Sequence, residues 1–338
     1  DGEVIDPFLL SVLRDKRRNH VLTDIVRTIQ ENQNDIIAKP IGESFVVQGC
    51  AGSGKTMIAK RIRTILPDID MDEALEVSKI YSVAGLIDES IGILNKRPFR
   101  SPHHTSTKQS LIGGGNNAKP GEVALSHKGV LFLDEIAEFD KRTLETLRQP
   151  IEDKYINVSR VNYNVKYPCN TLLVSAMNPC PCGYYGEGDR CTCTPARRIA
   201  YLSKLSGPIM DRLDLQLFLR PIDTKKLVNR PRAESSRVVA ARVSAARDIQ
   251  KTRFAGEGIF CNAAMNNRQI EKYCPLSPEC REVLERIIDR MGLSARACSR
   301  IIKLARTIAD LAGLPDILPV HLSEAASYRF LDKQNVFE

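Results

Sequence analysis

The run Gly49-Cys50-Ala51-Gly52-Ser53-Gly54-Lys55-Thr56 constrains this chain more than any other stretch. Its glycines let successive backbone N–H groups converge on phosphate oxygens at a helix N-terminus. Lys55 adds a point charge for the β- and γ-phosphates, and the Thr56 hydroxyl suits a magnesium ion. The flanks agree with this reading. Phe45-Val46-Val47-Gln48 is a β-prone run entering the loop, and residues 57–66 read as a helix leaving it. Strand, loop and helix in that order place the loop at the C-terminal edge of an α/β sheet, where ligands of such sheets bind.

Two further strands end in chemistry suited to the same edge. Val130-Leu131-Phe132-Leu133 is apolar and runs into Asp134-Glu135. There Asp134 can hold magnesium through water, while Glu135 is placed to polarise an attacking water. Leu172-Leu173-Val174-Ser175-Ala176-Met177 is a second buried strand, and it ends in Asn178. That amide can orient the lytic water or reach the γ-phosphate; Asn at such a place also commonly starts a turn. The cofactors expected from these three segments are ATP and Mg2+.

Elsewhere the pattern supports an α/β core followed by helices. Residues 82–128 are rich in Gly, Pro, Ser and His with short β-prone pieces, and a helix is expected over about residues 140–150. Tyr155-Ile-Asn-Val-Ser and Asn162-Tyr-Asn-Val-Lys alternate apolar and polar residues around Arg160, the pattern of a hairpin. A last strand falls near residues 213–219. Strands alternating with helices argue for a parallel sheet with inserted hairpins. Helices are then predicted over 235–254, 268–273, 278–291, 294–311 and 321–330, punctuated by prolines. The expected domains are a helical segment over 1–40, an α/β core over 41–222 and an all-α region over 223–338.

The 338 residues carry a net charge of +8, which favours a polyanionic partner such as DNA or describes a merely basic enzyme. No apolar run is long enough to span a bilayer, and Asp1-Gly2-Glu3-Val4 lacks the order of a signal peptide. A cytoplasmic protein with no membrane partner is expected, and the missing initiator Met reads as a fragment or processed form. Basic residues on the hairpin, Arg160 and Lys166, suit phosphates in a central channel. The adjacent His103 and His104 do not point the same way, so a loop touching nucleic acid or a neighbouring subunit is expected there rather than a metal site.

Four of the 10 cysteines cluster as Cys180-Pro-Cys182 and Cys191-Thr-Cys193. They offer four soft ligands, enough for a closed tetrahedral zinc site, although the spacing is tighter than the usual Cys-x-x-Cys. The alternative is a reduced, thiol-rich loop. The other six read as small buried hydrophobes. Arg212, just before the last strand, is either an arginine finger acting on a neighbouring subunit's nucleotide or a salt-bridge partner of Asp211 or Asp214. Arg296 lies in the helical region with Arg300 and Arg306 as rivals for contact with phosphates.

Longer motifs carry a family resemblance. Arg97-Pro-Phe-Arg-Ser-Pro-His-His-Thr, Gly113-Gly-Gly, the run from Pro120 to Glu135, Leu147-Arg-Gln-Pro-Ile-Glu, Ala176-Met-Asn-Pro-Cys-Pro-Cys-Gly, Gly207-Pro-Ile-Met-Asp-Arg-Leu-Asp-Leu and Ala305-Arg-Thr-Ile-Ala-Asp-Leu resemble the magnesium-chelatase-like AAA+ proteins of the ComM/YifB family. The resemblance covers about residues 57–330. It implies an AAA+ P-loop NTPase core with a parallel sheet and inserted β-hairpins, followed by an all-α lid domain. It further implies a ring-forming, hexameric, ATP-hydrolysing DNA helicase or branch-migration translocase. The alternative from the same resemblance is a chaperone-like remodelling ATPase similar to the magnesium chelatase subunit. Lys55 and Thr56 then correspond to Walker A, Asp134 and Glu135 to Walker B, Asn178 to sensor 1, Arg212 to the finger and Arg296 to sensor 2. This family usually carries a Lon-protease-like domain before the P-loop. Here residues 1–56 instead resemble the approach to Walker A in superfamily 1 helicases of the HelD type, with Gln33 in the place of an adenine-contacting Gln. The chain thus reads as a junction of two ATPase families near Thr56-Met57.

Overall fold

The computed structural model describes residues 45–49, 55–87, 92–115, 117–160, 163–186, 188–205, 207–219 and 234–329. The helical segment expected over 1–40, with Gln33, and residues 50–54 of the phosphate loop lie outside them. The chain divides into two units. Among the described residues, one unit comprises 45–213 with 218–219, and the other 214–217 with 234–329.

In the first unit, β1 (Phe45–Gly49) leads to α1 (Lys55–Arg61), which tightens into a 3-10 turn (Ile62–Thr64). The next helix, α2 (Met71–Ala84), was not anticipated from its apolar spacing, yet its ends are well marked. Asp70 accepts a hydrogen bond from the Glu73 N–H at 2.9 Å, and Gly85 closes the helix at φ 72°. There follow β2 (Phe99–Arg100), α3 (Lys108–Ile112), the paired two-residue strands β3 (Gly113–Gly114) and β4 (Lys119–Pro120), α4 (Glu122–Leu125) and β5 (Val130–Leu133). Where the sequence predicts one helix over 140–150, two short ones stand, α5 (Lys141–Glu145) and α6 (Arg148–Asp153). Pro150 explains the break. It has no N–H to donate and would clash with the preceding turn, so the helix restarts with Pro150 in its own first turn.

The expected hairpin is present as β6 (Tyr155–Arg160) and β7 (Tyr163–Pro168), antiparallel, with Asn157 opposite Lys166 and Arg160 opposite Tyr163. After it come β8 (Leu172–Met177), α7 (Pro195–Leu202), α8 (Gly207–Met210) and β9 (Leu215–Leu219), whose last two residues belong to this unit. The main sheet has the order β2-β5-β8-β1-β9. Pairings β2–β5, β5–β8 and β8–β1 are parallel, with Leu133 opposite Ser175 and Gln48 opposite Met177. Every residue of β5 and β8 is buried, as a parallel sheet covered on both faces requires. Each such Leu, Val or Phe contributes about 1.5–3 kcal/mol, more than an exposed ion pair, so these strands hold the rim above them in place. Gly129 is required at the entry to β5. A Cβ there would lie 2.0 Å from the Pro98 carbonyl oxygen, which accepts the Val130 N–H at 2.8 Å.

The second unit contains α9 (Ser236–Arg253), α10 (Asn267–Tyr273), α11 (Pro278–Met291), α12 (Ala295–Leu311) and α13 (Pro319–Ser327). At its centre the buried carboxylate of Asp310 accepts from Arg253 at 2.7 Å, Asn262 at 2.8 Å and Arg306 at 3.1 Å. Arg306 also donates to the Leu314 and Pro315 carbonyls, both at 2.6 Å. A buried charge network of this kind is tolerable only because its members satisfy one another.

Candidate nucleotide site

Because β1, β8 and β5 are parallel and adjacent, their C-terminal ends open on one rim. The sequence after each strand therefore converges there: Lys55 and Thr56 beyond β1, Asn178 beyond β8, and Asp134 and Glu135 beyond β5. The decisive contact is side chain to side chain. Thr56 Oγ1 donates to the Asp134 carboxylate, 3.2 Å from Oδ2 and 3.4 Å from Oδ1. Lys55 is buried as the first residue of α1. Two hard oxygens side by side, one hydroxyl and one carboxylate, form a donor set that fits magnesium. The Glu135 backbone N–H donates to Asp134 Oδ1 at 3.1 Å and turns that carboxylate toward the rim.

Glu135 itself sits at φ 52° and ψ 47°, the left-handed region that non-glycine residues rarely adopt. Its side chain is half exposed, and its Oε2 lies 3.6 Å from His104 Nδ1. His104 stacks on His103 with ring centroids 4.0 Å apart and meets Phe139 edge-on. The His pair expected to contact nucleic acid or a neighbour thus places one ring beside the rim's outermost carboxylate. Adjacency of two His in sequence did not reveal this, since the partner follows β5, the strand that pairs with β2.

On the other side of Asn178, the Tyr201 hydroxyl of α7 is buried beside the Asn178 backbone without a hydrogen bond of ordinary geometry. Burial first, and then the charge of Glu138, raise its pKa. Below the rim, buried His127 links three elements: its Nε2 is 2.9 Å from Glu76 Oε2, and its Nδ1 accepts the Asn170 N–H at 3.0 Å. Arg100 grips Glu122 through two hydrogen bonds of 2.6 and 2.7 Å, and Arg97 donates to Glu73 and to three backbone carbonyls. Much of the long motif from Arg97 to Glu135 therefore supports the strand carrying the acids.

A family profile described as "Magnesium chelatase, subunit ChlI" matches residues 22–227, and one described as "Magnesium chelatase, subunit ChlI C-terminal" matches residues 233–329. The chain belongs to the magnesium chelatase ChlI family. YifB of Escherichia coli (strain K12) is 41% identical over 317 residues, covering 93% of this chain and 61% of YifB. Competence protein ComM of Haemophilus influenzae is 40% identical over 311 residues, covering 91% of this chain and 60% of ComM. Magnesium-chelatase subunit ChlI of Cyanidium caldarium is 25% identical over 169 residues, 43% of this chain and 47% of that protein. The chain spans about three fifths of the length of its YifB and ComM relatives. The family is of the AAA+ ATPase type, with an α/β core and a C-terminal helical domain, as the sheet and helices here display. Its match begins at residue 22, so the likeness extends upstream of Thr56-Met57 and overlaps most of the stretch that resembles superfamily 1 helicases.

Within this family framework the arginines separate. Arg212 is 7% exposed, and its Nη2 donates to Glu152 Oε2 of α6 at 2.5 Å. Asp214 pairs with Arg300. Arg306 is committed to Asp310 and the two carbonyls. Of the three rivals on α12, Arg296 alone is exposed, in the helix's first turn.

The four clustered cysteines do come together, with their sulfurs all within 4.8 Å of one another. Cys180 is wholly buried and the other three are half-buried. Of the remaining cysteines, Cys169, Cys261, Cys274 and Cys280 are buried as expected, Cys298 is half-buried, and Cys50 lies outside the described residues. On the hairpin, Lys166 is exposed with its Nζ 3.6 Å from the Tyr155 ring centroid, while the Arg160 side chain lies outside what the structure describes. No described helix is long and apolar enough to cross a membrane.

Proposed function

We propose that this chain binds and hydrolyses ATP with Mg2+ and uses turnover to move DNA, as a cytoplasmic ring of identical subunits, a hexamer, of the helicase or branch-migration type. The observation that carries the reading is the Thr56–Asp134 contact, which joins the phosphate-loop helix to the acid-ending strand at 3.2 Å. Lys55 holds the β- and γ-phosphates, with residues 49–54 cradling them through backbone N–H groups. Thr56 and Asp134 hold the metal, which neutralises charge on the phosphate oxygens when bound. Glu135 takes the proton of the attacking water, and Asn178 orients that water against the γ-phosphate. Arg212 serves as the finger to a neighbouring subunit's nucleotide and Arg296 as the sensor on the lid.

Movement on DNA is supported by the net charge of +8, by exposed Lys166 on the β6–β7 hairpin, and by the 40% identical relative whose name is a competence protein. Turnover of ATP measured with and without forked DNA tests it. Stimulation by DNA, lost on charge removal in Lys166→Ala, is the expected result. Turnover indifferent to DNA would favour a remodelling ATPase, the reading suggested by the more distant chelatase-subunit relatives. Size-exclusion chromatography with and without ATP tests the ring.

A further inference from the structure

The loop between β8 and α7 is built around sulfur. Cys180 follows β8 by three residues, and the chain turns back at once, with the Gly183 N–H donating to the Cys180 carbonyl at 3.0 Å. Gly183 adopts φ 84°, a conformation that returns Cys182 to the side of Cys180. This turn answers the objection raised by the tight Cys-x-Cys spacing. The second pair arrives after a 3-10 turn (Gly188–Arg190), and Thr194 then caps α7 by accepting the Arg197 N–H at 3.3 Å.

Sulfur separations decide what this arrangement suits. Cys180 Sγ is 3.3 Å from Cys182 Sγ and 3.8 Å from Cys191 Sγ, and Cys182 Sγ is 3.7 Å from Cys191 Sγ. Four sulfurs each about 2.3 Å from a central zinc stand about 3.8 Å apart along the edges of their tetrahedron. Disulfides would need sulfurs at about 2.05 Å. Thiolate sulfur alone, with no imidazole or carboxylate among the four, selects zinc or iron over magnesium or calcium. Arg190, Arg197 and Arg198 lie on and beside the loop, a positive setting for a site whose four thiolates outweigh a divalent ion by two charges. Arg198 also covers the loop, 3.8 Å over the Tyr185 ring.

We propose that Cys180, Cys182, Cys191 and Cys193 hold one zinc ion in a closed tetrahedral site that ties the end of β8, and with it Asn178, to α7. Zinc binding replaces four S–H bonds by four Zn–S bonds and releases the thiol protons to solvent, with no change of oxidation state. The position is what gives the ion consequence. Asn178 is two residues before the first ligand, and α7 starts two residues after the last and carries Tyr201 back to the Asn178 backbone. The metal thereby acts as a positioning element for the amide at the rim, without touching the nucleotide.

Elemental analysis of the full chain, purified without chelator, is expected to find about one zinc per chain. Mercurial titration of the native protein should release that zinc in step with loss of the four thiols. A Cys191→Ser/Cys193→Ser double variant, changed only at half-buried positions, should lose the metal while retaining its circular dichroism. Protein that is metal-free as purified, with the four thiols reacting freely in the folded state and no zinc taken up on addition, would overturn the site. Iron in place of zinc would overturn the identity of the ion. The positioning role rests on the ATPase reading and is tested separately. Zinc loss should lower kcat about tenfold or more while nucleotide affinity changes by less than about twofold. If kcat is unchanged, that role is refuted, whereas a chain without any ATPase activity overturns the functional reading and leaves the metal analysis decisive for the site.

Discussion

Thr56 Oγ1 lies 3.2 Å from Asp134 Oδ2 although 78 positions separate the two residues along the chain. The contact exists because β8 lies between β1 and β5, aligning the three strand ends, and because α1 starts at Lys55. If the pair shares one magnesium ion, removing either oxygen should weaken the metal more than the nucleotide. Thr56→Ala and Asp134→Asn are expected to raise the Mg2+ concentration needed for half-maximal turnover about tenfold or more, with binding of metal-free nucleotide nearly unchanged. Titrating magnesium at fixed ATP checks this. An unchanged magnesium requirement in both variants would remove the pair from the metal site.

Glu135 and His104 give a contrast in magnitude. At 3.6 Å their contact is beyond hydrogen-bond reach and is a weak electrostatic one at a half-exposed carboxylate. Glu135→Gln removes the proposed base and should cut kcat by about 10²–10⁴-fold. His104→Ala should move kcat by less than about tenfold, with nucleotide affinity preserved in both. Steady-state turnover and equilibrium nucleotide binding of the two variants decide it. A loss in His104→Ala as large as that in Glu135→Gln would make the imidazole part of the proton path.

Arg212 is buried against Glu152 of its own chain, which is compatible with a purely structural arginine as well as with a finger. A mixing experiment separates these. In Arg212→Ala, nucleotide binding should persist while hydrolysis falls by about 10³-fold or more. Mixed with inactive Glu135→Gln chains, Arg212→Ala chains should regain turnover, because the former supply the arginine and the latter an intact Glu135. No recovery in mixtures that still assemble would assign Arg212 to its own chain.

The strands and most of the helices were legible because their signals are local: apolar runs ending in acids or an amide, alternation in the hairpin, and prolines between the helices of the second unit. The helix over 71–84 was missed although Ala74, Val77 and Ile80 recur at helical spacing and Asp70 and Gly85 mark its ends. The short helices Lys108–Ile112, Glu122–Leu125, Pro195–Leu202 and Gly207–Met210 were not anticipated, being too short to show a period. At the site, the phosphate-loop run and the strand ending in Asp134-Glu135 were read from pattern alone, and the rim on which they meet follows from the parallel strands. His104 beside Glu135, Glu152 beneath Arg212 and Tyr201 beside Asn178 were not visible, because each pairing crosses elements whose relative placement no local spacing encodes. Conversely, Arg300 and Arg306 looked equivalent to Arg296 on one helix until their partners Asp214 and Asp310 distinguished them.

Burial at His127 makes stability depend on pH in a defined window. Desolvation lowers the imidazole pKa below its ordinary 6.5, outweighing the attraction of Glu76 and Glu73, while nearby Lys128 acts in the same direction as burial. The unfolded chain therefore binds the proton more readily than the folded one, so stability is fully present above about pH 6.5 and is lost as pH falls through that value toward the folded pKa. Its Nδ1 accepts the Asn170 N–H, a hydrogen bond that protonation of that nitrogen would break. Thermal unfolding followed between pH 7.5 and 5.5 (about one unit either side of the free value) should show the midpoint falling with pH. In His127→Asn, whose amide oxygen can still accept from Asn170, the overall stability should drop, and the slope across this window should flatten. A slope identical in the two proteins would show that other groups carry the acid sensitivity.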